Sequence, residues 1–155
     1  MSLVSIGAQV FAAVCAMTKP IDVLLIEPSE SDARRTLAAI RRKAPHLSTV
    51  HVSGAEVAAG LIFDYWPIEH PQVPRLVIVD LDAAGESGKD VLRRLKRAAL
   101  TRNVSTVIFS ARPTAVGELE GFSSHATNVL KSRDSDAYAV QVERVVDELL
   151  LRHAM

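Results

Sequence analysis

The stretch RLVIVDLDAAGESGKDVLRRL, Arg75 to Leu95, decides the fold. Pro74 precedes it, four apolar residues from Leu76 to Val79 follow, and the run ends on Asp80 and Asp82 before a Gly-Glu-Ser-Gly segment and a basic helix. A short run rich in β-branched residues and bounded by turn formers reads as a strand buried on both faces, the kind that builds parallel sheets. Asp80 then stands at the carboxyl end of that strand. In open α/β sheets ligands bind at this edge, because the loops leave it and helix N-termini face it. Taken alone, Asp80 and Asp82 would serve equally well as cap and turn residues before a helix starting near Lys89. The rest of the chain has to decide between these roles.

Working outward, IDVLLIE after Pro20 reads as a first buried strand ending at Glu27, and SESDARRTLAAIRRK as a helix. Ser29 or Ser31 can cap that helix, Glu30 and Asp32 lie in its first turn, and Arg41, Arg42 and Lys43 lie in its last, as the helix dipole favours. STVHV is a second strand, and GAEVAAGLIFDYW a second helix with Val57, Leu61 and Ile62 on one face. The loop PIEHPQVPR carries Pro67, Pro71 and Pro74 and is expected to be extended. KDVLRRLKRAAL is a third helix, STVIFS a fourth strand, TAVGELEGF a short fourth helix, NVLK a fifth strand, and SDAYAVQVERVVDELLLRH the last helix. Strict alternation predicts an α/β fold: a five-stranded parallel sheet, flavodoxin-like, with helices on both faces and right-handed crossovers.

Length and charge narrow the function. The chain has 155 residues, enough for one domain with a sizeable core and too few for a separate effector domain. Lysine plus arginine and aspartate plus glutamate both number 18, so net charge supports neither nucleic acid nor an anionic membrane as partner. Cys15 is the single cysteine, which rules out an internal disulfide and fits a reducing compartment, with the cytoplasm as the expectation. Residues 1–20 are apolar and uncharged until Lys19, lack the basic start of a secretory leader, and fall short of the roughly 20 apolar residues that span a bilayer. They are read as a helical extension packing on the domain at 21–155 or on a second copy.

In this scheme Glu27 follows the first strand, Asp80 ends the third, Ser110 ends the fourth and Lys131 ends the fifth. Four buried strands delivering two carboxylates, a hydroxyl and an amine to one edge is a far narrower pattern than any single cap. The set can hold a phosphoryl group with magnesium. Glu27 and Asp80 offer hard oxygen ligands, Ser110 and Lys131 would face phosphoryl oxygens, and a carboxylate can be the nucleophile if cations offset the developing charge. Asp80 is the best-placed nucleophile.

The sequence resembles the receiver domains of two-component response regulators. The resemblance covers Asp22 to about His153 and rests on VLLIEPSESDARRTL, LVIVDLDAAGESGKDVLRRLK, VIFSA and NVLKS, in that order and spacing. With its Pro-rich loop the chain looks most like the single-domain regulators that partner bacterial and cyanobacterial phytochrome kinases. The resemblance implies that Asp80 is the phosphoacceptor, that Glu27 and Asp80 bind Mg2+ with the backbone carbonyl of Asp82, that Ser110 is the switch hydroxyl and that Lys131 pairs with the phosphoryl group. It implies a sensor histidine kinase as partner, and a protein that catalyses at most its own phosphorylation and dephosphorylation.

Three departures bear on activity. Pro28 stands where the family has a second acid, so weaker metal binding is expected, with Glu30 or Asp32 spaced to substitute through a bridging water. Ser132 follows Lys131 where the family has a cis proline, and since a cis bond before another residue costs about 2.5 to 4 kcal/mol, Lys131 is expected to point less favourably. Asn128 replaces the aromatic that reports phosphorylation.

The alternative from another class is a phosphorylation-independent pseudo-receiver, a scaffold for protein interaction. A flavodoxin-like enzyme or nucleotide binder is more distant, because no Gly-rich fingerprint follows the first strand and GESG suffices as a turn. The five histidines are scattered without ligand spacing. Phe63, Tyr65 and Trp66 read as an anchor for the long loop. In the last helix, Val142, Val145, Val146 and Leu149 form the stripe that faces the sheet. Tyr138, Leu150 and Leu151 lie partly outside it, and together with the apolar residues Val10 to Met17 they predict a homodimer through the final helix.

Overall fold

The computed structural model describes residues 21–64, 73–97, 104–112 and 126–151. The expected N-terminal extension, the Pro-rich loop from Pro67 to Gln72 and the fourth helix lie outside these residues.

Five parallel strands form one sheet in the order β2-β1-β3-β4-β5: β1 Val23–Ile26, β2 Thr49–Val52, β3 Leu76–Asp80, β4 Ser105–Ser110 and β5 Ala126–Leu130. The strand order reverses between β1 and β3, whose residues pair in register from Val23 with Leu76 to Ile26 with Val79. That reversal opens a crevice at the carboxyl edge, between the end of β1 and the end of β3.

Alternation along the strands divides the core into two layers. Leu24, Ile26, Val77, Val79 and Ile108 point to one face, where they meet α2 (Ala55–Ala59) and α3 (Leu81–Arg97) through Val57, Ala58, Val91 and Leu95. Val23, Leu25, Leu76, Ile78, Val107 and Phe109 point to the other, against α1 (Glu30–Lys43) and α4 (Ser135–Val146) through Ala39, Ile40, Tyr138, Val142 and Val146. Two-sided burial explains why β1 and β3 read as unbroken apolar runs. Both α2 and α4 end in a π-helical turn, at Gly60–Asp64 and Asp147–Leu151.

The caps behave as the residue types predict. Ser29 accepts from the Asp32 N–H at the start of α1, and Asp134 accepts from Asp136 and Ala137 at the start of α4. Across the outer face, Arg42 pairs with Glu143 at 3.2 Å and Lys43 with Asp147 at 3.6 Å, tying α1 to α4.

Four expectations need correction. Helical residues begin at Leu81, ahead of the start expected near Lys89, but Gly85, with φ 56° and ψ −142°, divides them into a first short turn and the helix that runs on to Arg97; glycine occupies that backbone region without steric cost. The fifth strand starts two residues earlier than NVLK and stops before Lys131, and it is an edge strand with Thr127, Asn128 and Leu130 exposed. Only one neighbour covers an edge strand, so its face does not have to be apolar. Tyr138 and Leu150 are buried, at 4% and 2% exposure: Tyr138 packs on Thr36 of α1 and on Phe109, and Leu150 joins the same core layer from the π-helical turn that ends the last helix. The surplus that pointed to a dimer therefore shifts: the large hydrophobic residues exposed among the described ones are Leu130 on β5 and Val140 on α4.

Candidate phosphoacceptor site

Each side chain at the edge is delivered by the end of a strand or the start of a helix. Glu27 follows β1 directly and is 1% exposed, and Asp80 closes β3 at 6%. Lys131 follows β5, held in place by its own N–H donating to the Ser110 carbonyl at 2.8 Å. Lys131 Nζ lies 2.6 Å from Asp80 Oδ2, 2.9 Å from Asp32 Oδ2 and 3.7 Å from Glu27 Oε2. One ammonium group thus faces three carboxylates. The expectation that Lys131 points unfavourably is not met: the described peptide bonds are all trans, and the side chain still reaches Asp80.

The sequence reading underused Asp32, naming it only beside Glu30 as a stand-in for the acid missing at Pro28. Glu30 is exposed, whereas Asp32 lies in the first turn of α1, half-buried, with its carboxylate at the edge. A capping-box signal was legible in Ser29-x-x-Asp32, and it predicts that the acid bonds back to the N–H of the cap residue. Here Glu27 Oε1 accepts that N–H at 3.0 Å, which leaves the Asp32 carboxylate for Lys131.

Burial pushes the Glu27 carboxyl up to about 7; the Ser29 N–H works against this, and the neighbouring Asp80 adds to it. Burial also opposes the charge on Lys131, but hydrogen bonds to Asp80 and Asp32 outweigh it and hold the ammonium above its ordinary range. Lys131 Nζ also sits 5.1 Å from the centre of the Tyr138 ring. The Tyr138 hydroxyl shares a 2.6 Å hydrogen bond with Thr36, and its ring meets Phe109 edge-on at 5.4 Å. These contacts make the wall of a pocket of ≈ 310 Å³ that opens over Asp80 and is rimmed by Arg35, Lys131, Ser132 and Arg133.

Ser110, fully buried at the end of β4, is engaged in a local turn: its Oγ donates to the Arg112 carbonyl and accepts the Arg112 N–H, both at 3.1 Å. Asp82 lies two residues past Asp80, in the first turn of α3. Asn128 is exposed on β5, so that position holds no aromatic group against the core.

The donor set suits a divalent cation. Among the described residues, Glu27, Asp32 and Asp80 each offer a carboxylate oxygen within 4.8 Å of the others. A cluster of hard oxygens is compatible with a divalent cation that completes its shell with water or phosphate oxygens. Chemically, the pocket offers a carboxylate nucleophile at its floor, an ammonium beside it and room above for a dianionic group.

No protein-family model matches the sequence, and no curated protein matches it either. Solved structures do match. The phosphorylated cyanobacterial phytochrome response regulator RcpA is 16% identical, with a TM-score of 0.74 over 85% of this chain and 95% of that one. The Mn2+-bound form of response regulator Rcp1 is 18% identical, with a TM-score of 0.72 over 84% and 96%. A response regulator receiver domain from Rhodospirillum rubrum is 18% identical, with a TM-score of 0.69 over 87% and 95%. Together with the β2-β1-β3-β4-β5 order and the polar groups at its carboxyl edge, these likenesses establish that the chain has the fold of the response regulator receiver domains.

Proposed function

We propose that the chain is a stand-alone receiver of a two-component system that accepts a phosphoryl group on Asp80 from a sensor histidine kinase in the cytoplasm. The observation that carries this reading is the placement of Lys131 Nζ at 2.6 Å from Asp80, beside the buried Glu27, at the switch point of a parallel sheet. In the reaction an Asp80 oxygen attacks phosphorus in line. The new O–P bond forms as the P–N bond to the donor imidazole breaks and its electron pair returns to nitrogen. Lys131 is placed to follow the charge onto the phosphoryl oxygens, and Ser110 to meet them by turning from the Arg112 backbone.

Mg2+ held by Glu27, Asp80 and the Asp82 carbonyl would neutralise charge on the incoming group. The likeness to phytochrome response regulators supports a phytochrome-type kinase as the donor. In this reading the protein processes no other substrate, and it passes on the signal by changing a surface. That surface is β5 with α4, where Leu130 and Val140 are exposed and where a homodimer would form. Neither nucleic acid nor a membrane is a partner in this reading, and no helix among the described residues is long and apolar enough to cross a membrane.

The test is intact mass after incubation with Mg2+ and a small phosphodonor. One phosphoryl adduct is expected for the natural chain and none for Asp80→Asn. Absence of the adduct at every magnesium concentration would leave the phosphorylation-independent interaction module, toward which Pro28 and Asn128 point.

A further inference from the structure

Pro28 deprives the site of a carboxylate, yet three carboxylates still meet at the edge. We infer that Asp32 is the third acid of the divalent-cation site, as a direct or water-bridged ligand, and that it leaves Lys131 to take up this role. The inference rests on the receiver reading above.

The helix start makes the arrangement possible. Ser29 caps α1 through the Asp32 N–H, so Asp32 sits in the first turn, where side chains lean back toward the helix N-terminus and the sheet edge. The cap N–H that an acid at this position normally binds is already taken by Glu27 Oε1 at 3.0 Å. Asp32 therefore turns to cations, with Arg35 on its own helix at 3.6 Å as one of them. Without a metal it uses Lys131 at 2.9 Å, although Lys131 also serves Asp80 at 2.6 Å. Lys131 is thus divided between two acids, and one oxygen from each of Glu27, Asp32 and Asp80 lies within 4.8 Å of the others, so a single dication could draw on all three.

Turning Asp32 to the ion would remove one of two close claims on Lys131. Asp80 and the incoming phosphoryl group would then hold the lysine alone. Ion binding thus prepares the lysine as well as the acceptor, a coupling that an acid at position 28, adjacent to Glu27, would not create. Glu30, two residues earlier, is exposed and takes no part.

The test uses the full chain and two ions, with binding of Mn2+ followed by the loss of its free paramagnetic signal and Mg2+ measured by competition. Asp32→Asn keeps the shape and the backbone cap but removes the charge, and should weaken both ions at least tenfold. Glu30→Gln should bind as the natural chain does. Pro28→Asp added to Asp32→Asn should restore affinity, and circular dichroism of each variant confirms that the fold is kept. Asp32→Asn binding within twofold of the natural chain overturns the inference and leaves the receiver reading intact. A natural chain that binds neither ion at millimolar concentration overturns both.

Discussion

Glu27 makes the apo protein sensitive to pH in a direction opposite to that of most paired carboxylates. Its carboxyl is pushed up from 4.5 to about 7, chiefly by burial at 1% exposure, so the folded state binds this proton more tightly than the unfolded state does. A raised carboxyl contributes stability that is fully present below the unfolded value, near 4.5, and is lost as pH rises through the folded value, near 7. At about 1.4 kcal/mol per pH unit the loss is about 3 kcal/mol, a large share of a stability that is typically 5–15 kcal/mol.

Glu27→Gln mimics the protonated form: its amide oxygen can accept the Ser29 N–H and its NH2 can donate to Asp80. Urea unfolding followed by circular dichroism, in chelator from pH 4.5 to 8.5, should show the two proteins equally stable at the acid end. The variant should be more stable by about 3 kcal/mol above pH 7. Comparing the pair cancels the other titrating groups. Magnesium at pH 8 should close the gap, since a dication favours the ionised carboxylate that only the natural chain has. A difference that stays flat from pH 5 to 8 would refute the reasoning.

Two further measurements test the wall of the pocket and the proposed surface. Thr36 donates to the Asp32 carbonyl at 2.9 Å as well as sharing its 2.6 Å bond with Tyr138, so Tyr138→Phe strands no donor and should cost about 0.5–1.5 kcal/mol. Thr36→Val leaves the buried Tyr138 hydroxyl without this partner and should cost about 1–3 kcal/mol; urea midpoints in the reverse order would contradict this hydrogen-bond assignment. Light scattering at several concentrations should show a dimer that Val140→Glu or Leu130→Glu dissociates, whereas the buried Leu150 would report stability instead. A natural chain that is monomeric throughout removes the dimer.

Local rules were enough for the sheet and for much of the site. The runs VLLI, LVIVD and STVIFS, short and rich in β-branched residues, read as strands covered on both faces, and alternation with amphipathic helices pointed to a parallel order. The end of a parallel strand lies at the carboxyl edge, so chain position alone brings Glu27, Asp80, Ser110 and Lys131, at or just past four strand ends, to one edge. What the sequence could not determine depends on separation and coverage. Asp32 and Lys131 are 99 residues apart and meet because the helix after β1 starts at the edge where β5 ends; Thr36 and Tyr138, 102 residues apart, meet because α1 and α4 pack side by side on one face of the sheet. No periodicity within either helix shows that Glu27 takes the cap N–H and so frees Asp32. Likewise, helical spacing set Tyr138 and Leu150 outside the core stripe, and only packing against neighbours distant in sequence, Thr36 and Phe109 for Tyr138, decided that they are buried. Position along the chain determines which edge a residue reaches, and tertiary packing determines which charges and apolar surfaces it meets there.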